Sequence, residues 1–213
     1  MLIGIIYKIL LLFPLIKSFY LGRKYSFSAQ NYLFVYFLIT FMNEWLSFTR
    51  DQCNPDVKVG LQYNLYFIFC IVFFYFYYSQ LFKGVLKKIA LLSTLISLGY
   101  VIFCTHFLEN DFDKRIGITI TLFYIMNAML WFYQKISFFD EHKITNDPVF
   151  WISTALLMWS CFFIFRVTPM FFFAANDNEF LQFLKVGQNI INIMMYSMFY
   201  ISLLTYERQQ SHL

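Results

Sequence analysis

The sequence predicts an all-α polytopic membrane protein, a seven-transmembrane-helix bundle forming one domain over residues 1–213. Three observations carry this. Hydrophobic residues make up 60% of the chain and charged residues only 13%, with 30 Phe and 16 Tyr, far outside the range of a soluble domain of this size. Apolar runs of about 20 residues, the length a helix needs to cross a bilayer, recur along the chain with short polar breaks between them. Runs this long exclude strands, because in lipid a helix satisfies its backbone groups within one segment.

The first run, about 2–22, holds Lys8 and Pro14. Lys8 interrupts its apolar core and no small-x-small cleavage pattern precedes "KSFYLGRK", so it is expected to stay as a helix rather than be removed as a signal peptide. Lys8 is expected to snorkel to the nearer interface. The second run, about 29–49, contains "FLITFMNEWLSF" with Glu44, the only acidic residue within any expected span. The third, about 59–81, opens with "LQYNLYF", and the fourth covers about 86–108. The fifth, about 116–136, carries Tyr124, Asn127 and Trp131. The sixth, about 149–173, starts after Asp147 with Pro148 as a first-turn proline. It carries Arg166, and Pro169 is expected to kink or end it nearby. The seventh, about 184–206, enters with "KVGQNIINIMMYSMFY".

Lys and Arg in the short loops set the expected orientation. The breaks after the first, third and fifth helices hold Lys17, Arg23, Lys24, Lys83, Lys87, Lys88, Lys135 and Lys143. The other breaks mix Arg50, Lys58, Lys114, Arg115 and Lys185 with Asp51, Asp56, Glu109, Asp111, Asp113, Asp177 and Glu179. The N-terminus is therefore expected outside and the C-terminus inside. The net charge of +4 reflects this loop asymmetry and does not point to nucleic acid. Cys53, Cys70, Cys104 and Cys161 show no metal-ligand spacing. Cys53 and Cys104 both fall at outer helix ends, where a disulfide is one arrangement the topology allows.

Depth along each helix, at about 1.5 Å per residue, brings polar residues to one level. Glu44 and Arg166 both come out about 8–10 Å inside the outer face, so an ion pair between them is expected. Asn64 on the third helix stands near that level beside Gln62. On the seventh, Gln188, Asn192 and Tyr196 follow at i, i+4, i+8 on one face, with Asn189 at its border. Tyr36, Thr40, Glu44 and Ser47 form a comparable stripe on the second helix, and Asn127 faces in from the fifth. The expectation is one outward-facing polar cavity built from Glu44, Arg166, Asn64, Gln188, Asn192, Tyr196 and Asn127. Interhelical packing is the competing role for these amides and charges.

No H-E-x-x-H, G-x-S-x-G, Gly-rich phosphate loop or paired intramembrane aspartates occur, and His106, His142 and His212 are scattered over loops and helix ends. No enzyme activity, metal or cofactor is expected. The acidic stretch "HFLENDFDKR" reads as a solvated outer loop. Lys185 stands at the mouth of the seventh helix, too shallow for a Schiff-base retinal protein.

The runs "NEWLSF", "QYNLYFIFCIVFFYFYYSQLFK", "DPVFWISTALLMWSCFFIF" and "VGQNIINIMMYSMFY" resemble a family of seven-helix membrane proteins common in Bacteroidota. The members look like stand-alone relatives of the membrane input modules of sensor histidine kinases. The positions that match are the acidic residue Glu44, the tripeptide Asn64 to Tyr66, and the helix-six opening of Pro148, Phe150, Trp151 and Ile152. Arg166 has no counterpart in the pattern. The clustered polar residues and the short stretch after the last span lead to the expectation of a multi-pass, receptor-like or adaptor protein of the bacterial inner membrane. Only "ERQQSHL" follows the last expected span, so a signal is expected to leave through a membrane or cytoplasmic protein partner. A small ligand from the outer side would act by favouring one helix arrangement. The alternatives are a structural subunit of a larger membrane complex and a three-plus-one-plus-three small-molecule transporter.

Overall fold

Residues 2–25, 28, 30–53, 58–138, 143–173 and 178–211 are described by the computed structural model of the chain. Asp56, His142, Asp177 and His212 lie outside them. The apolar runs become α1 (Leu2–Lys24), α2 (Leu33–Cys53), α3 (Gly60–Ser79), α4 (Val85–Cys104), α5 (Lys114–Ser137), α6 (Pro148–Phe173) and α7 (Asn178–Ser211). A single 3-10 turn, Ile144–Asn146, precedes α6, and no strand occurs among the described residues.

Local chemistry sets several of these ends. Pro148 opens α6, where its missing N–H leaves nothing unsatisfied, and the Asp147 carboxylate accepts the Val149 N–H at 2.9 Å. Asp113 caps α5 by accepting the Arg115 N–H. Gly84, at φ 55°, makes the tight turn between α3 and α4. Two expectations shift. α4 ends at Cys104 because the chain turns extended at Thr105, and the His106 N–H hooks onto Asp113 at 3.1 Å. Of the kink or end expected near Pro169, the end does not occur: α6 runs on to Phe173, the limit expected for the sixth run.

α1, α2, α3, α5, α6 and α7 pack in a closed ring in that order, with α7 returning to α1. α4 packs on α3 and α5 from outside it. Its buried face is a narrow stripe, Ala90, Thr94, Ser97 and Val101, whose spacing of four, three, four suits close helix contact. Leu92, Leu95, Ile96 and Phe103 on the remaining surface are exposed. Such a face is stable only against lipid or another apolar surface.

Five helical stretches, Ile3–Lys24, Gly60–Ser79, Val85–Cys104, Lys114–Ser137 and Pro148–Val167, are long and apolar enough to cross a membrane. The chain is a multi-pass membrane protein. Of the other two helices, α2 carries Asn43 and Glu44 and α7 carries Gln188, Asn189 and Asn192, which lowers their apolar content. α7 has 34 residues, about 51 Å of helix, more than the roughly 30 Å of a hydrocarbon core.

The ends of the ring differ. Where α2 and α6 begin and α3 and α7 finish, buried polar groups knit the helices together. Gln30 donates to Ser202 Oγ and accepts from the Tyr77 hydroxyl, while Ser202 donates to the Pro148 carbonyl. Tyr78 and Ser153 share a bond of 2.9 Å beside them. Lys17 pairs with Glu207, and Lys135 with Asp147 at 2.6 Å, at the margin. In a bilayer each such group would otherwise be left unsatisfied, so this network closes that end tightly.

All four cysteines are free, Cys53 and Cys104 included. The disulfide that the topology allowed is not formed.

Candidate functional site

The opposite end of the ring is hollow. Tyr7 of α1, Tyr36 and Glu44 of α2, Tyr63 of α3, Tyr124 of α5, Trp159 and Arg166 of α6 and Gln188 and Tyr196 of α7 enclose a cavity of about 310 Å³ that reaches into the middle of the bundle. Glu44, Arg166, Gln188, Asn192 and Tyr196 line it, as do Asn189 and Tyr36. The sequence depth arithmetic thus brings five of its seven expected residues to one space.

The expected ion pair is replaced by another. Glu44 is met by α1: the Tyr7 hydroxyl donates to Glu44 Oε2, and Lys8 Nζ stands 3.8 Å from that oxygen and 3.2 Å from the Glu44 carbonyl. Lys8 also lies 4.9 Å from the Phe48 ring centre. Its side chain is 19% exposed and that of Glu44 14%, so Lys8 does not simply snorkel out. Among the described residues no ion pair within 4.0 Å joins Glu44 to Arg166. The reason is lateral. α1 packs directly on α2, whereas α6 packs on α5 and α7.

Arg166 borders the cavity with its Nε buried and without a hydrogen-bond partner among the described residues. Tyr7 and Tyr63 line the cavity with it. The α7 stripe is held in a fixed orientation. Trp159 Nε1 donates to Asn192 Oδ1 at 2.9 Å, and Gln188 Nε2 donates to the same oxygen at 3.1 Å. Two donors occupy that oxygen, so the Asn192 amide NH₂ is its remaining polar end. Gln188 Oε1 is buried without a partner among the described residues. Tyr66 shares a hydrogen bond of 2.9 Å with Thr40, which tethers the tyrosine floor to α2. Trp159 and Phe163 stack at 4.7 Å and form an aromatic wall.

Asn64 and Asn127 do not line the cavity. Asn64 is a brace instead. Its Nδ2 donates to the Asp111 carbonyl at 3.1 Å and its Oδ1 accepts the Asp113 N–H at 3.3 Å. Gly60 N–H adds a bond of 3.0 Å to the Asn110 carbonyl, and Lys58 pairs with Asp111 at 2.8 Å. The first turns of α3 therefore clamp the α4–α5 loop, which delivers Phe112 to the cavity rim. Burial works against ionised Asp113, but hydrogen bonds from the Arg115 side chain and from the Arg115 and His106 backbone outweigh it and hold its carboxyl below the usual range. Asn64→Ala is expected to cost about 1–3 kcal/mol and to speed amide exchange in residues 106–113, read by hydrogen-exchange mass spectrometry. Asn127 turns back on its own helix, donating to the Phe123 carbonyl at 2.9 Å, with Oδ1 buried and unbonded among the described residues.

Sequence reasoning missed Lys8, Tyr7, Tyr63 and Trp159. The signal for Lys8 was present. It sits six residues into α1, about 9 Å deep, the level assigned to Glu44. Tyr63 follows the Glu44 stripe less directly, through its hydroxyl bond of 3.1 Å to Ser47.

No protein family, curated protein or solved structure matches the chain.

Proposed function

We propose that this chain is a receptor-like or adaptor protein of the bacterial inner membrane, with seven spanning helices, the N-terminus outside and the C-terminus inside. Its outward cavity senses a ligand, and the resulting helix rearrangement is passed to a partner protein. The observation that carries the reading is the one-ended cavity: about 310 Å³, lined by Glu44, Arg166, Gln188 and Asn192, in a ring tied off at its far end by Gln30, Tyr77 and Ser202. That volume stands at the lower edge of small-molecule sites. A cavity set against a tied-off end suits detection better than passage. A three-plus-one-plus-three transporter would have to break the far-end network in every cycle, and a purely structural subunit gives Arg166 no task.

The basic loops after α1, α3 and α5 support the orientation. In spheroplasts, a membrane-impermeant maleimide is expected to label Cys53 and Cys104 from outside without prior reduction, since both are free and exposed. Labelling only after permeabilisation would reverse the topology.

The functional test compares wild type with Glu44→Gln and Arg166→Met in native membranes. Purification in mild detergent is expected to recover a stoichiometric protein partner, whose association or downstream response changes in both variants while protein levels hold. If both variants leave folding and every response unchanged, the pocket reading fails. Solute flux in proteoliposomes would assign transport instead.

A further inference from the structure

We infer that the cavity takes a small organic monoanion, a carboxylate carried on an aromatic or branched apolar body, with Arg166 as its counter-charge. This rests on the reading of the cavity as a solute site and specifies the solute's chemistry.

The charges lining the space carry the argument. Glu44 already has a cation beside it, Lys8 at 3.8 Å, together with the Tyr7 hydroxyl. Arg166 has no anion within 4.0 Å among the described residues, and its Nε is buried without an acceptor. Among the described residues the cavity thus presents a guanidinium with no paired anion, a group shaped to hold a planar carboxylate. Desolvating that charge with nothing opposite is costly, and a bound anion removes the cost. One cation matches one negative charge. A cationic solute would have to displace Lys8 from Glu44 and remain near Arg166.

The neutral polar groups agree. Trp159 and Gln188 occupy Asn192 Oδ1, which leaves the Asn192 NH₂ as a second donor for a carboxylate. Gln188 is only 5% exposed, yet its Oε1 has no donor among the described residues. An orphaned acceptor so deeply buried in a cavity wall is expensive unless a ligand or water donates to it. A hydroxyl or N–H on the solute would fill that role. The apolar body would rest on the stacked Trp159 and Phe163 rings. Size sets the upper bound: 310 Å³ equals about ten water molecules at roughly 30 Å³ each, so the solute has on the order of 10–15 non-hydrogen atoms. Nucleotides and acyl lipids exceed it.

The test uses the purified full-length protein in lipid nanodiscs and isothermal titration calorimetry. The probes are phenylacetate, 4-hydroxyphenylacetate, indole-3-acetate and 4-methylpentanoate, with phenylacetamide and phenethylamine as neutral and cationic counterparts. At least one acid is expected to bind, phenylacetamide and phenethylamine at least tenfold more weakly than the acid. Arg166→Met is expected to weaken acid binding at least tenfold at an unchanged unfolding midpoint, and Arg166→Lys to recover part of it. Should Arg166→Met fail to fold, the acid-to-amide comparison on wild type decides alone. Equal or preferred binding of the amide or the amine overturns the anion assignment while leaving a solute site in place. Acid binding undiminished in folded Arg166→Met also overturns it. Absence of binding by every probe overturns both the assignment and the solute reading.

Discussion

Lys8→Met is expected to destabilise the folded bundle by about 2–3 kcal/mol, read as a lower midpoint in detergent unfolding. The substitution keeps α1 apolar and of similar bulk, so packing is largely preserved. What changes is Glu44. Its carboxylate, 14% exposed, loses the ammonium at 3.8 Å and keeps the Tyr7 hydroxyl. Removing one member of a fully buried pair costs about 3–5 kcal/mol, and the partial exposure of both side chains reduces that figure here. Lys8→Met with Glu44→Gln should recover most of the loss, because two neutral side chains leave no stranded charge. The double-mutant cycle measures the coupling directly. If Arg166 were the true partner of Glu44, Lys8→Met would be nearly silent and Arg166→Met would show the loss instead.

Gly60→Ala is expected to cost about 3 kcal/mol, the upper end of ordinary overpacking, and to weaken ligand binding at a distance from the pocket wall. A Cβ there would lie 2.2 Å from Asp111 C and Phe112 N and 2.4 Å from Asn110 O. These are backbone atoms, so no rotamer change relieves the clash. The α4–α5 loop must lift from the first turn of α3, breaking the Gly60 N–H bond to Asn110 and carrying Phe112 away from the cavity rim. Gly99→Ala is the control. Nothing lies within 4 Å of its Cβ, and an alanine in a helix interior is favoured over glycine by about 1 kcal/mol. Thermal unfolding of the two variants should therefore move in opposite directions.

The helices were legible because apolar length is written along one dimension, and so is depth. The runs at 2–22 and 149–173 differ from α1 and α6 by two residues or fewer at either end. Depth likewise collected Glu44, Arg166, Gln188, Asn192 and Tyr196 around one space. Azimuth and neighbour order are not written that way. Lys8 and Arg166 share the level of Glu44, and only the packing of α1 on α2 decides which cation reaches it. Asn64 shows the same limit: at the right depth, its amide turns to the α4–α5 loop instead of the interior. The far-end network was illegible for another reason. Gln30 sits where the second apolar run begins and reads as an interface residue, until Tyr77 and Ser202 from two other helices close around it.

That knot of Gln30, Tyr77, Ser202 and the Pro148 carbonyl also bears on how the molecule can move. There α7 is joined to α6 directly and to α3 through Gln30. Asn192 lies ten residues, about 15 Å, on the pocket side of Ser202, and the helix continues nine residues, about 13 Å, beyond it. Beyond Ser202 the helix is tied again, Glu207 to Lys17 and Gln209 to the Asn146 carbonyl, so a displacement of Asn192 by an arriving solute would load contacts with α1 and with the turn before α6.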